Sequence, residues 1–578
     1  MPVSGSAVPV VMRDGTALAV DVWLPEGAEA AGRRVGTVLR ATRYWRAAVD
    51  AADDSATSGE VALFTGFGLA LVTVDVRGTG ASRGRWDGPW SDTELADLAE
   101  VVDWVVAQPW SNGRVGAHGV SYDGNTAEML ASLGSPHVRA VSPRFADYDP
   151  WAHLSFPGGV LLEDFVARWT AETRALDLDD PAVAVSSAEE AAELREWIGH
   201  PRPLDDDVDG RMMRAALRDH LGNVDLWDAA SRLVDYDDEA SQRLGYPGSA
   251  PFARRGGVDG TTVAMRPVGS WYDAGTAAGV LARFRSTAAP QYAVIGAWSH
   301  GGGFDADPFL DEPGEARPPL DQQRIDLAAW LAERLGEDDA PTTTPTLTYV
   351  TVGSGAWRTT TQWPPPGVTA HRLHLAADGA LLAGPPALGA TAYDVDPAAS
   401  TGPSNRWHTQ AGQAPVHYGD RAQADTACAT WTGEPLAAPL TVTGTPVLHL
   451  VMSTTAADGA VHAYLEAVSP EGRVVYLTEG VLRLRHRATG PAPYVVDGPY
   501  HPCTGLLAQP MHPGAAEPVE LALLPLSAQV PAGWSLRLAL AGADAGTFRG
   551  VALDEPATWT VHHGENGSWL DLPVEAQP

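Results

Sequence analysis

A serine between two glycines is the first candidate for chemistry in this chain. Ser121 follows the short, mostly apolar run 115–120 and precedes a predicted helix over residues 125–133. Gly119 and Gly124 lack a Cβ, so the chain can turn sharply there and lift the serine hydroxyl above the edge of a sheet. Free N–H groups at the helix start would stabilise negative charge at the same point. The pattern is typical of a nucleophilic serine, and a plain Ser-Gly turn is the alternative.

A serine hydroxyl needs a histidine to take its proton and a carboxylate to orient that histidine. Candidates for both follow predicted strands further along the chain. Asp273 comes after the run 262–265 and a short bend, and His300 comes directly after the run 291–298 and Ser299. The order serine, acid, histidine is that of the α/β-hydrolase fold, in which each partner lies on a loop after a strand. We therefore predict Asp273 as the orienting acid and His300 as the base.

Several short motifs make the chain resemble a known family of serine hydrolases. The motifs are Asp75–Ser82, Gln108–Gly113, Gly119–Gly124, Trp271–Asp273 and Ala297–His300. In this order they resemble the family of cocaine esterase and X-prolyl dipeptidyl-peptidase. The resemblance spans nearly the whole chain. It implies an α/β fold class, namely an α/β-hydrolase core with an inserted helical cap, followed by an all-β jelly-roll sandwich domain.

The resemblance also implies the two donors of an oxyanion hole. One is the hydroxyl of Tyr44, and the other is the backbone N–H of Tyr122, the residue after the nucleophile. The family more often has a proline at the position of Arg43. This departure leaves the rigidity of the Tyr44 loop open.

The substrate pocket has three candidate residues. Trp151 and Trp169 lie at the mouth of the predicted cap and could line an acyl pocket, with packing between cap and core as the alternative. In the cocaine-esterase branch an aromatic residue commonly lies two positions after the acid, where this chain has Gly275. We therefore expect a wider or differently shaped acyl pocket. For this reason the hydrolysis of benzoyl esters, known from that branch, is not expected of this chain.

Length and charge restrict the class of protein. A chain of 578 residues is too long for one hydrophobic core. The net charge of −33 repels phosphate groups, so neither nucleic acid nor membrane is expected as a partner. The expected partner is a small-molecule ester or amide substrate. The absence of lysine excludes a Schiff base, a Ser-Lys dyad and a phosphate-binding Gly-Lys loop. A homo-oligomer is left open.

The pattern of elements predicts four segments. Strands alternate with helices over residues 1–145, helices replace them over 146–250, and the core resumes over 251–341. Short strands separated by glycine and proline follow over 342–578, after a charged and Pro/Thr-rich stretch. Two Ser-x-x-Glu patterns, Ser91 with Glu94 and Ser187 with Glu190, predict helix-capping boxes.

No apolar run approaches the roughly 18 residues that span a bilayer, and the first six residues lack a signal-peptide pattern, so a cytoplasmic location is expected. Cys428 and Cys503 have no metal-like spacing, and their pairing is left open. No metal and no cofactor are predicted.

We thus expect a serine esterase that works through an acyl-enzyme. The alternatives are an acylase or X-Pro-type aminopeptidase acting on peptides or β-lactams, and a binding protein based on the sandwich. Glu163 and Asp164 of the predicted cap could anchor a substrate ammonium if the peptidase alternative holds.

Overall fold

The structure is a computed structural model. It describes residues 5–576 except 29, 53–54, 337–343, 409, 411–413 and 554, and at residues 55–57 and 243 it describes the backbone.

The first sheet is mixed, with parallel strands at its centre. Its described strands are, in chain order, β1 Ser6–Val11, β2 Ala17–Trp23, β3 Val35–Thr42, β5 Ala70–Asp75, β6 Ser111–Val120, β7 Val138–Arg144, β9 Ala264–Met265, β10 Val268–Ser270, β11 Tyr292–Gly296, β12 Thr346–Thr351 and β13 Ala356–Thr360. A separate pair is formed by β4 Ala48–Val49 and β8 His200–Pro201. The spatial order is β1-β2-β5-β3-β6-β7-β10-β11-β12-β13, with β9 paired to β7. From β5 to β12 in this spatial order each strand pairs in parallel with the next, as expected for a sheet that helices cover, whereas β2 and β13 pair antiparallel with β5 and β12.

Helices surround this sheet and fill the stretch between β7 and β9. The described α-helices are α1 Ser55–Gly66, α2 Asp92–Val106, α3 Tyr122–Ser132, α4 Glu163–Leu178, α5 Ala188–Ile198, α6 Arg211–His220, α7 Leu226–Ala230, α8 Glu239–Arg243, α9 Tyr246–Ser249, α10 Pro251–Asp259, α11 Thr276–Ser286 and α12 Leu320–Leu335. Helices α4 to α9 lie within the stretch 146–250 where the sequence pattern placed the cap. Helix α10 lies in the stretch assigned to the resumed core, and it packs on α3, where a Cβ on Gly257 would meet the backbone of Ser132.

The strand order reverses direction at β3, and this fixes where a ligand can bind. The chain passes from β3 outward to β5 and then back to β6 on the other side of β3. In open α/β sheets, ligands bind outside the carboxyl ends of the strands at such a switch point. Tyr44 follows β3 and Ser121 follows β6, so both lie at this edge.

The predicted boundary at residues 341–342 lies outside the described residues. Two strands beyond it, β12 and β13, nevertheless belong to the first sheet, since β12 pairs in parallel with β11. The first sheet therefore extends to residue 360. Composition could not predict this, because the Pro/Thr-rich stretch marks a change of element and not a change of sheet.

The remainder of the described chain is rich in β-strands. They are β14 Val368–Leu375, β15 Ala380–Leu382, β16 Gly389–Asp394, β17 Ala429–Gly433, β18 Leu440–Gly444, β19 Val447–Thr454, β20 Ala460–Val468, β21 Val474–Arg483, β22 Glu517–Ala522, β23 Leu526–Val530, β24 Ser535–Ala541, β25 Thr558–His563 and β26 Trp569–Glu575. Buried and half-buried residues alternate along β26, as expected for a strand with one face in a core. One apolar cluster joins this core to Trp271, directly after β10, and to Tyr349 of β12. The order of the elements confirms the predicted α/β core followed by a β-rich domain.

The two cysteines are not joined, and Cys503 is buried while Cys428 is half-buried. No described helix is both long and apolar enough to cross a membrane.

Candidate active site

Ser121 lies in a strained turn between β6 and α3. Its φ and ψ angles are 60° and −125°, a conformation that non-glycine residues rarely adopt. A Cβ on Gly119 would lie 2.3 Å from the carbonyl carbon of Asp123, and one on Gly124 would lie 2.9 Å from the carbonyl oxygen of Arg144. The Ser121 N–H donates to that same Arg144 oxygen at 2.9 Å. The two glycines are therefore required because the turn packs against the backbone on both sides.

Asp273 and His300 lie side by side at the same sheet edge, after β10 and β11. The Nδ1 atom of His300 is 3.0 Å from each carboxylate oxygen of Asp273. Asp273 is fully buried, and His300 is 6% exposed. The carboxylate thus holds Nδ1 and leaves Nε2 as the ring nitrogen that can accept a proton.

The charges around His300 favour its protonated form. Burial lowers the pKa of His300, but the charge of Asp273, the hydrogen bond to Asp273 and the charge of Asp147 together raise it above its usual value. Burial and then the charge of Asp273 raise the pKa of Asp147 to about 7. Asp147 is held by its backbone, since the side chain of Asn125 donates to its carbonyl oxygen and accepts from its N–H. His300 therefore faces two buried carboxyl groups.

The Tyr44 hydroxyl is oriented by the cap helix α4. The indole Nε1 of Trp169 donates to the Tyr44 oxygen at 2.8 Å, which leaves the phenolic proton free to donate elsewhere. Burial raises the pKa of Tyr44, so the hydroxyl keeps its proton, and the Ser121 side chain lies close enough to act on that pKa. The structure thus brings Tyr44 and Ser121 together.

A buried ion cluster holds the loop that carries Tyr44. The guanidinium of Arg46 donates to Asp21 at 2.8 Å and to Asp75 at 2.7 Å, and all three side chains are fully buried. Asp75 also accepts from the N–H of Arg46. A Cβ on Gly80 would lie 2.2 Å from an oxygen of Asp75, so the glycine allows the close approach. The Asp75–Ser82 motif therefore positions the Tyr44 loop.

Arg43, at the position where the resemblance leads us to expect proline, joins the same loop to the cap. Its guanidinium donates to Asp177 of α4 at 2.8 Å and lies 4.3 Å from the ring centroid of Trp86 and 5.2 Å from that of Trp169. Asp177 also accepts from Asn223 at 2.8 Å. The ion pair with the cap thus restrains this loop, whereas a proline at this position would restrain it by restricting the backbone.

Tyr122 is fixed through its side chain. Its hydroxyl donates to Glu94 at 2.6 Å and accepts from the indole of Trp86 at 3.1 Å, while Trp90 donates to its carbonyl oxygen. Because Tyr122 is the first residue of α3, its N–H has no intrahelical partner and can face a ligand. Burial raises the pKa of Glu94 to about 8.

The pocket candidates have different surroundings. Trp169 contacts Tyr44, as described above, whereas Trp151 is buried and stacks on Phe156 with ring centroids 4.0 Å apart. A Cβ on Gly275 would lie 2.8 Å from the Cα of His153, and the Gly275 N–H donates to the His153 carbonyl. Gly275 therefore makes room for the backbone at residue 153, and its effect on the shape of an acyl pocket stays a prediction.

The cap acids Glu163 and Asp164 are both paired with basic side chains. Glu163 accepts from Arg549 at 2.8 Å, and Asp164 lies 2.8 Å from His408 and 3.0 Å from Arg168. Since Arg549 and His408 belong to the β-rich domain, these acids join the cap to that domain.

Two open cavities lie away from Ser121. One, of about 570 Å³, is lined by residues that include Leu95, Ser132 and Arg254. The other, of about 180 Å³, is lined by residues that include His153 and Tyr494. Neither lining includes Ser121 or His300.

Sequence patterns missed several residues near the site. Glu94 was predicted as half of a capping box, but its carboxylate bonds Tyr122 while Ser91 caps α2 alone. No sequence pattern pointed to Asp147. Gln410, whose amide donates to Asp273 at 3.0 Å, lies 137 residues away in the chain.

Two family models cover most of the chain. The model for X-Pro dipeptidyl-peptidase (S15 family) matches residues 14–302, and that for the X-Pro dipeptidyl-peptidase C-terminal non-catalytic domain matches residues 339–551.

Individual proteins match over most of their length. A putative serine esterase of Mycobacterium bovis is 34% identical over an alignment of 607 residues that covers 98% of this chain and 94% of that protein. Cocaine esterase of a Rhodococcus species is 29% identical, with 85% of each chain covered. The crystal structure of an aminopeptidase from a marine sediment archaeon, Thaumarchaeota archaeon, has a TM-score of 0.76 at 21% identity, covering 100% of this chain and 97% of that one. This last likeness shows the shared fold.

Proposed function

The chain belongs to the X-Pro dipeptidyl-peptidase (S15) family of serine hydrolases, and from that premise we propose that it hydrolyses carboxylic esters through a Ser121–His300–Asp273 triad. The observation that carries the triad is the pairing of His300 Nδ1 with both oxygens of the buried Asp273, at 3.0 Å each. An imidazole held in this way presents Nε2 in the form that can accept a proton.

The proposed reaction uses these groups in turn. His300 takes the proton of Ser121 as the serine oxygen attacks the ester carbonyl carbon. The Tyr44 hydroxyl and the Tyr122 N–H then donate to the oxyanion of the tetrahedral intermediate. His300 returns the proton to the departing alcohol, and a water molecule activated by the same histidine releases the acid from the acyl-enzyme.

The preference for esters over peptides rests on the surroundings of candidate anchoring groups. Hydrolysis at a free N-terminus requires a partner for the substrate ammonium, because a buried ammonium without one costs several kcal/mol. Ala274, Gly275 and Thr276 follow the acid and carry no charge. Glu163 and Asp164 are already paired with Arg549 and Arg168. An ammonium at either would displace an existing ion pair.

A fluorophosphonate probe tests the nucleophile. We expect the wild-type protein to be labelled at Ser121 and the Ser121→Ala variant to be folded, unlabelled and inactive, with kcat lower by on the order of 10⁶. Ser132→Ala, at the other end of α3, is the matched control and keeps both labelling and activity. Labelling and full turnover in Ser121→Ala would refute the proposal.

A substrate comparison tests the ester preference. We expect kcat/KM for a p-nitrophenyl ester of a neutral acid to exceed that for an X-Pro p-nitroanilide measured under the same conditions. Preference for the anilide would keep the serine hydrolase but assign it to the aminopeptidase alternative.

A further inference from the structure

The acid of the proposed triad is contacted by the β-rich domain. The segment 405–410 lies between β16 and β17, and its described residues reach back to the loop after β10. Gln410, 8% exposed, donates from Nε2 to Asp273 Oδ1 at 3.0 Å. The same carboxylate accepts from His300, so its oxygens are held from two directions.

The backbone next to the acid is held by the same segment. Arg406, 1% exposed, donates from Nε and Nη2 to the carbonyl oxygen of Ala274 at 2.9 and 2.6 Å, and its own carbonyl accepts from the Ala274 N–H at 3.0 Å. Ala274 has a φ of 37°, in the left-handed region that non-glycine residues rarely adopt. Such a conformation persists only where the surroundings enforce it. Arg406 supplies that enforcement directly after Asp273.

The neighbouring loop is contacted too. The N–H of Val416 donates to the Oγ atom of Ser299 at 2.8 Å, one residue before His300. Arg406 and Val416 therefore restrain the backbone of the two loops, whereas Gln410 reaches the reacting machinery itself. If His300 were its one donor, the Asp273 carboxylate could rotate about the Cβ–Cγ bond. A second donor at a fixed position prevents this rotation.

We propose that Gln410 is a positioning residue, by which the β-rich domain holds the Asp273 carboxylate in the orientation that receives the His300 N–H. This inference rests on the proposed function, because it assigns Gln410 a role through the triad acid. It also gives the β-rich domain a part in catalysis besides covering the core.

Three variants separate positioning from simple packing. Gln410→Met keeps the length and apolar stem of the side chain and removes the donor. Gln410→Glu keeps the shape and can donate to Asp273 only while its carboxyl group is protonated. Gln291→Met is the matched control, since Gln291 is also buried and donates to backbone oxygens of the α11 region, outside the site.

The expected result is a change in kcat and in the pH profile. Gln410→Met should lower kcat and the rate of fluorophosphonate labelling by about 10- to 100-fold with KM unchanged, the range for losing a hydrogen bond to a charged group. Gln410→Glu should add a descending limb on the alkaline side, because two adjacent carboxyl groups that share a proton repel each other once both ionise. Gln291→Met should lose stability without either change.

Other outcomes overturn the inference. A Gln410→Met enzyme with wild-type kcat, a Gln410→Glu enzyme with the wild-type pH profile, or losses that only track the fraction of folded protein would each assign Gln410 to packing. Ser121→Ala separates the two levels of the proposal. If that variant stays active, the triad and the role of Gln410 both fail; if it is inactive while the Gln410 variants behave as wild type, Gln410 alone fails.

Discussion

The two halves of the active site are supported by different parts of the chain. The half that carries Ser121 and Tyr44 is held by the cap, through Trp169 on Tyr44 and Asp177 on Arg43. The half that carries Asp273 and His300 is held by the β-rich domain, through Arg406, Gln410 and Val416. The proposed proton transfer from serine to histidine therefore crosses a boundary between two separately supported units.

This difference teaches how each half can fail. The cap contacts are one neutral donor on the Tyr44 hydroxyl and a buried ion pair between Arg43 and Asp177. Neither bond is made to a residue of the serine turn, so their loss leaves that turn in place. The β-rich contacts act on a fully buried carboxylate, and a buried charge is costly when one of its partners is removed. We therefore expect loss of the acid Asp273 in one half to reduce turnover more than loss of the oxyanion donor Tyr44 in the other.

After loss of the nucleophile itself, the largest effect is expected from Asp273→Asn. The amide retains the shape of the carboxylate but favours the wrong imidazole tautomer, so kcat should fall on the order of 10⁴-fold. Steady-state kinetics on a p-nitrophenyl ester measures this loss. Asp147→Asn is the comparison, since Asp147 is the second buried carboxyl group that acts on His300. If Asp147→Asn causes the greater loss, the two carboxyl groups have been assigned in the wrong order.

Local sequence patterns predicted many residues of the candidate site. They did not predict the contacts between residues that are distant in the chain. The family resemblance seen in short motifs is confirmed, and so is the α/β core with its β-rich partner. Ser121, Asp273 and His300 each follow a strand, and a strand followed by a glycine-rich or polar loop can be recognised within about ten residues. The parallel strands that precede them end at the same edge of the sheet, so all three residues lie at that edge.

The residues that escaped depend on tertiary contacts. Ser187 and Glu190 form the full capping box that the pattern predicts, on a helix with no buried residues. Ser91 and Glu94 have the same pattern, but Glu94 is buried beside Tyr122, whose hydroxyl needs an acceptor. Gly275 has the position of a pocket residue, yet its neighbour is the backbone of His153. No window along the chain contains these partners.

An intermediate effect is expected in the oxyanion half. Tyr44→Phe removes the proposed donor and should lower kcat by about 10² to 10³ with little change in KM, corresponding to roughly 2.7–4 kcal/mol of transition-state stabilisation. Tyr393→Phe, which loses a hydroxyl bonded to Ala427 in the β-rich domain, is the matched control. A Tyr44→Phe enzyme with unchanged kcat would leave Tyr44 as a packing residue and remove the cap from the oxyanion hole.

The smallest effect on turnover is expected at Glu94, which accepts the hydrogen bond of the Tyr122 hydroxyl in the oxyanion half. Burial raises the pKa of Glu94 to about 8, against roughly 4.5 in an unfolded chain. Between these pH values the folded state keeps a proton that the unfolded state has released, so stability falls as pH rises, by roughly 3 to 5 kcal/mol in all.

Glu94→Gln cannot titrate, and its amide oxygen still accepts from Tyr122. We therefore expect kcat within about tenfold of wild type and a Tm that declines less between pH 5 and pH 9. Because other buried acids titrate in the same range, the informative quantity is the difference in Tm between variant and wild type at each pH. Glu189→Gln, on the exposed helix α5, controls for the loss of one negative charge. If Glu94→Gln and Glu189→Gln give parallel curves, Glu94 is ionised throughout, and Tyr122 is held by a carboxylate whose burial carries no pH-dependent cost.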